Sequence, residues 1–330
     1  MISIAQIGCG YWGPNLLRNL VAHKDCRVKI VCDPSAERQA YVQGLYPAIH
    51  TTNDLNVVLD DPEIQAVVIA TPVATHYDMA IRALKAGKHI LVEKPMATTV
   101  EEVLDISTHA REKGVTAMVG HTFLYNAAVI HLKALIDSGE LGQVRYLYSQ
   151  RLNLGRIRSD VDALWNLAPH DISIIQYLLG DPIPISITRT GMAFIQPGVE
   201  DVTFLSITYP GPVMAHIHVS WLDPHKVRRM TVVGSKKMAV YDDMSENKIA
   251  IYDKGIDKKA ILGENMDFDN QNFFTFTHRT GDVFLPKVKF VEPLKAEIAH
   301  FIDCITNGTP CCTDAEHALS VVRLLSKASC

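Results

Sequence analysis

Residues 2–13 read ISIAQIGCGYWG, a short apolar run that leads into glycines at positions 8, 10 and 13. Apolar residues at helical spacing follow through Leu16, Leu17 and Leu20. Strand, glycine turn and helix form the context in which a GxGxxG motif binds a pyrophosphate, whereas the motif alone also suits a plain tight turn. We therefore predict a dinucleotide site. Its expected residues are Gly8, Gly10, Tyr11, Trp12 and Gly13.

An acidic residue follows the second predicted strand. Val28–Cys32 is apolar, and Asp33 comes about twenty residues beyond the last glycine. In dinucleotide-binding folds an acid at this place binds the adenosine ribose hydroxyls and repels the 2′-phosphate of NADP. Arg38, five residues further on, could receive such a phosphate, but it fits a solvated helix position equally well. The chemistry favours NAD over NADP.

Strands and helices continue to alternate as far as residue 119. The pattern predicts three helices and three further strands, over residues 55–60, 66–70, 76–86, 89–92, 100–113 and 116–119. This is typical of an α/β fold with a doubly wound parallel sheet, and we assign residues 1–121 to a Rossmann domain. Ligands bind beyond the carboxyl ends of such strands. The residues that follow strand ends here are Thr71, Pro72, Glu93, Lys94 and His121.

Composition excludes several classes of protein. The chain has 330 residues, of which 48% are hydrophobic and 21% charged, so we expect two globular domains. A formal net charge of −4 without a basic run argues against a nucleic-acid partner. No apolar stretch reaches membrane-spanning length and no leader pattern precedes the first strand, so we expect a cytoplasmic protein.

The seven cysteines show no CxxC pair and no histidine at zinc-finger spacing. We therefore expect reduced structural thiols and no metal site. Cys311 and Cys312 are adjacent and could also be read as a redox or metal pair, but their neighbours are typical of a loop between helices.

Several motifs stand along the chain in a specific combination. They are the glycines at 8–13, Thr71-Pro72 with His76, Ala86-Gly87-Lys88, Glu93-Lys94-Pro95 and Gly120-His121. They are followed by Asn126, residues 136–142, the segment 165–180 and the last helices from Glu292 onward. Together they resemble the glucose–fructose oxidoreductase, inositol dehydrogenase and MocA family over essentially the whole chain.

The resemblance implies roles for the motif around Lys94. In that family Glu-Lys-Pro follows a Rossmann strand, often with a cis proline bond, and its lysine lies near the nicotinamide and the substrate hydroxyl. Lys94 is thereby implied to be catalytic, and Glu93, Thr71, Pro72 and His76 to line the cofactor site. The residues agree, because a lysine before proline is held off helical geometry at the strand end. An ordinary surface lysine is the alternative.

From Thr122 onward the pattern changes. It predicts helices over 129–137 and 168–179 and many strands of alternating character between residues 144 and 252. We expect an α+β domain over residues 122–330 with a large, mostly antiparallel sheet, and last helices that pack back on the first domain. Because the family commonly pairs subunits through this sheet, the resemblance implies a homodimer or homotetramer.

The resemblance also implies a catalytic histidine on the first long helix of this second domain. His170 matches, because the glycine that ends the helix stands ten residues further on, at Gly180. Two positions depart from the family, whose aspartates are replaced by Asn166 and Ser173. Asn166 can hold a substrate hydroxyl but cannot accept a proton. A histidine beside a lysine ammonium would stay neutral and act as a base, whereas a structural histidine capping the helix after Pro169 is the alternative.

Charged residues between strand and helix suggest a substrate class. Arg151, Arg156 and Arg158 carry guanidinium groups, which suit carboxylate or phosphate. A charged sugar and a solvated loop remain equal interpretations of this stretch. His121 and Tyr125 are further candidates for lining the substrate cleft. The string at 165–171, WNLAPHD, resembles family members that oxidise C3 of nucleotide-linked or secondary-metabolite sugars.

Sequence and resemblance together predict an NAD-dependent oxidoreductase. It would move a hydride between nicotinamide and a secondary alcohol of a sugar or nucleotide sugar, with the 3-hydroxyl favoured. One alternative is a non-catalytic NAD-binding sensor. The presence of Asn166 where the family has an aspartate favours this alternative. Another is a glycoside hydrolase of the same family that oxidises its substrate transiently.

Overall fold

The computed structural model describes residues 1–155, 157–260 and 274–329. It divides into two compact units that are each built from segments distant in the chain. Unit 1 comprises Met1–Asn126, Ile172–Asp181 and Phe290–Cys330, and unit 2 comprises Ala127–Asp171 and Pro182–Lys289.

Unit 1 contains a parallel sheet of six strands. They are β1 (Ile2–Ile7), β2 (Cys26–Cys32), β3 (His50–Thr52), β4 (Ala66–Ile69), β5 (His89–Glu93) and β6 (Ala117–Gly120). Their spatial order is β3-β2-β1-β4-β5-β6, and every neighbouring pair is parallel. The order reverses between β1 and β4, which is where dinucleotide-binding sheets open a crevice. The predicted doubly wound sheet is confirmed.

Helices alternate with these strands and continue through the rest of the chain. They are α1 (Gly13–Val21), α2 (Ala36–Leu45), α3 (Leu55–Leu59), α4 (His76–Lys85), α5 (Val100–Lys113), α6 (Ala127–Asp137), α7 (Ala163–Leu179), α8 (Pro293–Asn307) and α9 (Ala315–Ser329). Local sequence sets their limits. The Thr99 side chain and Glu102 form a capping box at the start of α5, and Gly114 ends that helix with a φ of 65°.

The core of unit 1 joins both ends of the chain. Leu16 and Leu20 of α1 pack with Ile4 of β1, and Ile298 and Phe301 of α8 are buried in the same cluster. Helix α9 packs on α5. Side chains near residues 297–317 therefore lie beside the strands of the amino-terminal sheet.

Unit 2 contains the second sheet. Its strands are β7 (Val144–Leu154), β8 (Ser186–Met192), β9 (Val202–Tyr209), β10 (Val213–Ser220), β11 (Leu222–Gly234), β12 (Met238–Asp242), β13 (Ile249–Ala260) and β14 (Phe274–Phe284). Their order is β14-β13-β12-β11-β7-β10-β9-β8, with β7 and β10 parallel and the other neighbours antiparallel. The prediction of a large, mostly antiparallel sheet is confirmed.

The start of α7 differs from the prediction. The helix begins at Ala163, and Pro169 lies inside it rather than at its start. The physical cause is Asp162, whose carboxylate accepts a hydrogen bond from the Trp165 N–H at 2.8 Å and so caps the first turn. His170 is therefore not a capping residue.

In the part of the chain that the structure describes, no helix is both long and apolar enough to cross a bilayer.

Candidate functional site

The turn after β1 approaches neighbouring backbone too closely for a side chain. A Cβ on Gly8, which has a φ of +89°, would lie 2.6 Å from the Ala70 carbonyl oxygen at the end of β4. A Cβ on Gly13 would lie 2.7 Å from the Gly8 oxygen. Around Gly10, by contrast, no described atom lies within 4 Å of a Cβ position. The loop is thus tightly packed at two glycines and open at the third.

The side chain of Gln6 in β1 fixes the glycine loop through two hydrogen bonds. Its amide is fully buried and donates to the carbonyl oxygens of Gly8 at 2.8 Å and Gly13 at 3.0 Å. The first turn of α1 has no side-chain cap and no acidic residue, so its N–H groups remain suited to an anion. This arrangement fits a pyrophosphate. Gln6 was not predicted from the sequence, although a lone amide in an apolar strand is a recognisable signal.

Asp33 connects the glycine loop to the end of β2. The buried carboxylate accepts the Cys9 N–H at 2.7 Å through Oδ2 and the Ser35 N–H at 2.9 Å through Oδ1. Each oxygen keeps a lone pair that can accept from a ribose hydroxyl. Arg38 lies in the first turn of α2, and its backbone N–H donates to the Ser35 hydroxyl that caps the helix.

Lys94 follows β5 at the same edge of the sheet and is half-buried. The Lys94–Pro95 bond is cis, as the resemblance implies. His76 is buried, with Nδ1 2.8 Å from the Pro95 oxygen and Nε2 2.9 Å from the Thr71 oxygen. Burial lowers the pKa of His76, so a neutral ring donates to one of the two carbonyls near pH 7. His76 therefore links the Thr71-Pro72 turn to the backbone beside Lys94.

Two carboxyl groups flank Gly120 at the end of β6. A Cβ on Gly120 would lie 3.3 Å from an oxygen of Glu93 and equally close to one of Glu297. Burial raises the pKa of Glu93, against the opposing effects of Lys94 and of the Trp12 indole that donates to it. Burial and the neighbouring Glu93 raise the pKa of Glu297 well above its usual range. This pair of carboxyls therefore retains a proton at pH values where solvated glutamates are ionised.

Glu297 was not predicted from the sequence. It lies on the apolar face of α8 with Leu294, Ile298 and Phe301, and this polar interruption is the signal that could have found it. It is fully buried, and within the described residues neither of its oxygens has a hydrogen bond of regular geometry.

His121 lies directly after β6 and is almost completely buried. Its ring meets that of His317 edge to face at 5.1 Å, and His317 Nδ1 lies 3.5 Å from a carboxylate oxygen of Asp181. Burial, together with His317 and Lys94, lowers the pKa of His121 well below its usual range. The ring is thus neutral, and its predicted contact with substrate stays a prediction.

Tyr125 is also buried in unit 1. Its hydroxyl shares a 2.8 Å hydrogen bond with the Thr313 hydroxyl, and its ring tilts against His300 at 5.4 Å. Tyr11 is exposed at the glycine loop, whereas Trp12 reaches Glu93. The hydroxyl of Tyr125 therefore serves the packing of the carboxyl-terminal segment, and its predicted substrate role stays a prediction.

In unit 2, His170 and Asn166 are four residues apart on α7 and so share one face of the helix. Both are half-buried. The Trp221 indole donates to Asn166 Oδ1 at 3.3 Å, which orients the amide. The helix thus presents an imidazole next to a fixed amide.

The predicted arginines fall into three situations. Arg151 is buried, and its Nε lies 2.6 Å from a carboxylate oxygen of Asp171, which is also buried. Arg158 pairs with Asp160 closer to solvent, with an Nε to Oδ1 distance of 2.9 Å. Arg156 lies outside the described residues. The charge of Arg151 is therefore balanced within unit 2, and the substrate contacts predicted for the arginines stay predictions.

Two family profiles match the chain. Residues 2–121 match the oxidoreductase family with an NAD-binding Rossmann fold, and residues 129–240 match the GFO/IDH/MocA C-terminal domain.

The chain is similar to several known oxidoreductases over most of the length of both proteins. The scyllo-inositol 2-dehydrogenase (NAD(+)) of Bacillus subtilis (strain 168) is 28% identical over 335 residues, which cover 97% of this chain and 91% of the relative. The crystal structure of a protein from Magnetospirillum magnetotacticum MS-1, described as an oxidoreductase, is 28% identical with a TM-score of 0.83 and covers 99% of both chains. UDP-N-acetylglucosamine 3-dehydrogenase GnnA from Acidithiobacillus ferrooxidans shares the fold, with a TM-score of 0.80, 24% identity, and 99% and 96% of the two chains covered.

Proposed function

Because the chain belongs to the Gfo/Idh/MocA oxidoreductase family, with its NAD-binding Rossmann domain, we propose that it transfers a hydride between NAD and a secondary alcohol of a sugar or polyol. One observation carries this proposal. Lys94 follows a strand end at the edge that also carries the glycine loop, and the carbonyl of the next residue, Pro95, is linked through His76 to the neighbouring turn. A cation at this edge lies where ligands bind in such sheets, which supports a role for it in the reaction.

The chain's own residues fit a dinucleotide. The uncapped first turn of α1 and the open side of Gly10 would hold the pyrophosphate, and the Asp33 carboxylate would hold the adenosine ribose. NAD, when bound, supplies the acceptor for the hydride. A carboxylate at Asp33 favours NAD over NADP, because a 2′-phosphate beside it would be repelled.

Proton transfer falls to side chains. The Lys94 ammonium donates a hydrogen bond to the substrate oxygen that becomes a carbonyl, which holds the alcohol and stabilises developing negative charge. His170 accepts the hydroxyl proton at a ring nitrogen, which a neutral imidazole can do near pH 7. Asn166 orients the substrate or the imidazole and transfers no proton.

The substrate we favour is a nucleotide-linked sugar oxidised at its 3-hydroxyl. The fold likeness to a UDP-N-acetylglucosamine 3-dehydrogenase and the string at residues 165–171 support this choice. Arg158 can meet a phosphate at little cost, because its pair with Asp160 is partly exposed and such pairs contribute only about 0–1 kcal/mol.

The proposal is tested with purified protein, NAD and a panel of free polyols, inositols, sugars and UDP-sugars, by following NADH absorbance. We expect turnover with at least one alcohol and a ketone product in mass spectrometry. NAD binding without reduction by any member of the panel would favour the sensor instead. Cleavage of a glycosidic bond without net NADH would favour the hydrolase.

Replacing Asp33 by alanine should weaken the preference for NAD. Loss of charge-assisted hydrogen bonds worth about 1.5–3 kcal/mol predicts a fall of roughly 10–100-fold in kcat/KM for NAD, with little loss for NADP. The measurement is kcat/KM with both cofactors, accompanied by circular dichroism because Asp33 also accepts the Cys9 and Ser35 N–H groups. Arg38→Ala is the matched control and should affect NADP more than NAD. An unchanged ratio in Asp33→Ala would contradict the assignment.

We further propose that the protein assembles with a second copy through the outer face of the unit 2 sheet. Met214 is 55% exposed, lies opposite Tyr146 in the register, and shares the face with exposed Phe204. Met214→Asp should shift sedimentation velocity profiles toward monomer, because it places a charge in an apolar interface. Leu45→Asp in α2, also 55% exposed, is the control and should leave the profile unchanged. Identical profiles for Met214→Asp and the unmodified protein would refute this interface.

A further inference from the structure

A histidine and two cysteines converge at the end of α8, and none of the three is among the residues assigned to catalysis. His300 and Cys304 stand one turn apart on the helix, and Cys311 follows in the segment after it. One ligand atom from each lies within 4.8 Å of the other two, and Cys304 Sγ is 3.4 Å from His300 Nε2. Within the described ranges, this is the one group of three or more histidine, cysteine or acidic residues that meets so closely.

The protein itself holds this arrangement. Gly308 ends α8 in a left-handed conformation with a φ of 68°, so the chain turns back toward the helix. Asp303 accepts hydrogen bonds from Asn307 and from the Thr309 hydroxyl, which fixes the turn. The Thr313 carbonyl then accepts the Val119 N–H at 2.8 Å, which joins the segment to β6. The three ligand atoms are therefore brought together by the fold.

The donor set selects a class of metal. Thiolate and imidazole ligands suit Zn²⁺ or other thiophilic ions, whereas Mg²⁺ and Ca²⁺ take oxygen ligands. Zinc–sulfur bonds are about 2.3 Å long and zinc–nitrogen bonds about 2.0 Å. In a tetrahedral site the ligand atoms are therefore less than 4.8 Å apart, which is the distance within which the three atoms lie in this structure.

A fourth ligand is within reach along the chain. Cys312 follows Cys311 directly and is exposed, and its backbone N–H donates to His300 Nε2 at 3.0 Å. The hydrogen bond shows where the lone pair of His300 Nε2 points. A bound metal would use this lone pair in place of the Cys312 N–H. Either the Cys312 thiol or a water molecule can complete a tetrahedral set.

We propose that His300, Cys304 and Cys311 form a structural site for a thiophilic divalent cation, with Zn²⁺ as the best match. The sequence predicted no metal site, because the spacing of these ligands follows no zinc-finger pattern and their meeting depends on the turn at Gly308. The ion would fasten α8 to the segment that reaches β6. This proposal does not depend on the proposed oxidoreductase activity.

Cobalt is the probe for this site, because thiolate ligands give Co²⁺ an intense charge-transfer band. The full-length protein is reduced, freed of metal with a chelator, and titrated with Co²⁺ and then Zn²⁺. We expect the band to saturate near one equivalent, Zn²⁺ to displace it, and Zn²⁺ to raise the melting temperature. Absence of the band in protein with titratable free thiols, or rapid Cys304–Cys311 disulfide formation in its place, would overturn the proposal.

Variants separate this site from adventitious binding. Cys311→Ala and His300→Gln should each weaken Co²⁺ binding by more than the ~10–100-fold that loss of an outer-shell partner costs. They are preferred to Cys304→Ala because Cys304 is buried, and circular dichroism checks that each folds. Cys26→Ser is the control, since its thiol donates to the Leu20 carbonyl and a hydroxyl can do the same. A band of unchanged affinity in Cys311→Ala and His300→Gln would refute the site.

Discussion

Replacing Lys94 by methionine is expected to lower kcat by about 10²–10⁴-fold, while the affinity for NAD changes little. Methionine keeps the volume of the aliphatic stem and removes the charge that stabilises the substrate oxygen during oxidation. Because the glycine loop and Asp33 do not depend on the Lys94 side chain for their hydrogen bonds, cofactor binding should survive. The loss therefore belongs to the chemical step.

The measurement combines kcat, NAD titration and a primary isotope effect. With the transferred hydrogen replaced by deuterium, the isotope effect in Lys94→Met should rise toward its intrinsic value, since hydride transfer becomes slower than product release. Lys85→Met, in the last turn of α4, is the control and should behave as the unmodified protein. A Lys94→Met protein that keeps more than about a tenth of kcat would contradict stabilisation of the substrate oxygen by this residue.

Local signals explain why much of unit 1 could be predicted from the sequence. The predicted bounds of α5 match the structure because its capping box and its left-handed Gly114 both lie within a few residues of the helix ends. The glycine loop could be placed because strand, glycines and helix are contiguous. Helix α7 was placed too late, because the proline inside it is a stronger sequence signal than the aspartate that caps it.

Long-range contacts explain what the sequence did not show. Glu93 and Glu297 are about two hundred positions apart and meet only because α8 packs on the amino-terminal sheet. The same packing brings the carboxyl-terminal thiols near β6. The ion pair between Arg151 and Asp171 likewise joins a strand to a helix. The hydrophobic periodicity of the sequence does not predict this pair.

Glu297→Gln should change how the stability of the protein depends on pH. A carboxyl whose native pKa is raised holds a proton that the unfolded chain has lost above its ordinary pKa of about 4.3. The native state then binds more protons than the unfolded state. The free energy of unfolding therefore falls as pH rises, by about 1.4 kcal/mol per pH unit for each such carboxyl, until the raised native pKa is reached.

Glutamine carries no titrating proton, so the variant should lose the contribution of Glu297 to this slope. Relative to the unmodified protein it should gain about 1.4 kcal/mol per unit as pH rises from about 5 until the raised native pKa is reached, a tenfold change in the unfolding equilibrium per unit. Urea unfolding across this range measures the difference, and Glu316→Gln, an exposed glutamate in α9, is the control. Parallel curves for Glu297→Gln and the unmodified protein would show that Glu297 is ionised in the native state. Such a result would also exclude a neutral Glu297 next to Glu93, since the raised pKa of Glu297 depends on its burial and on that neighbour.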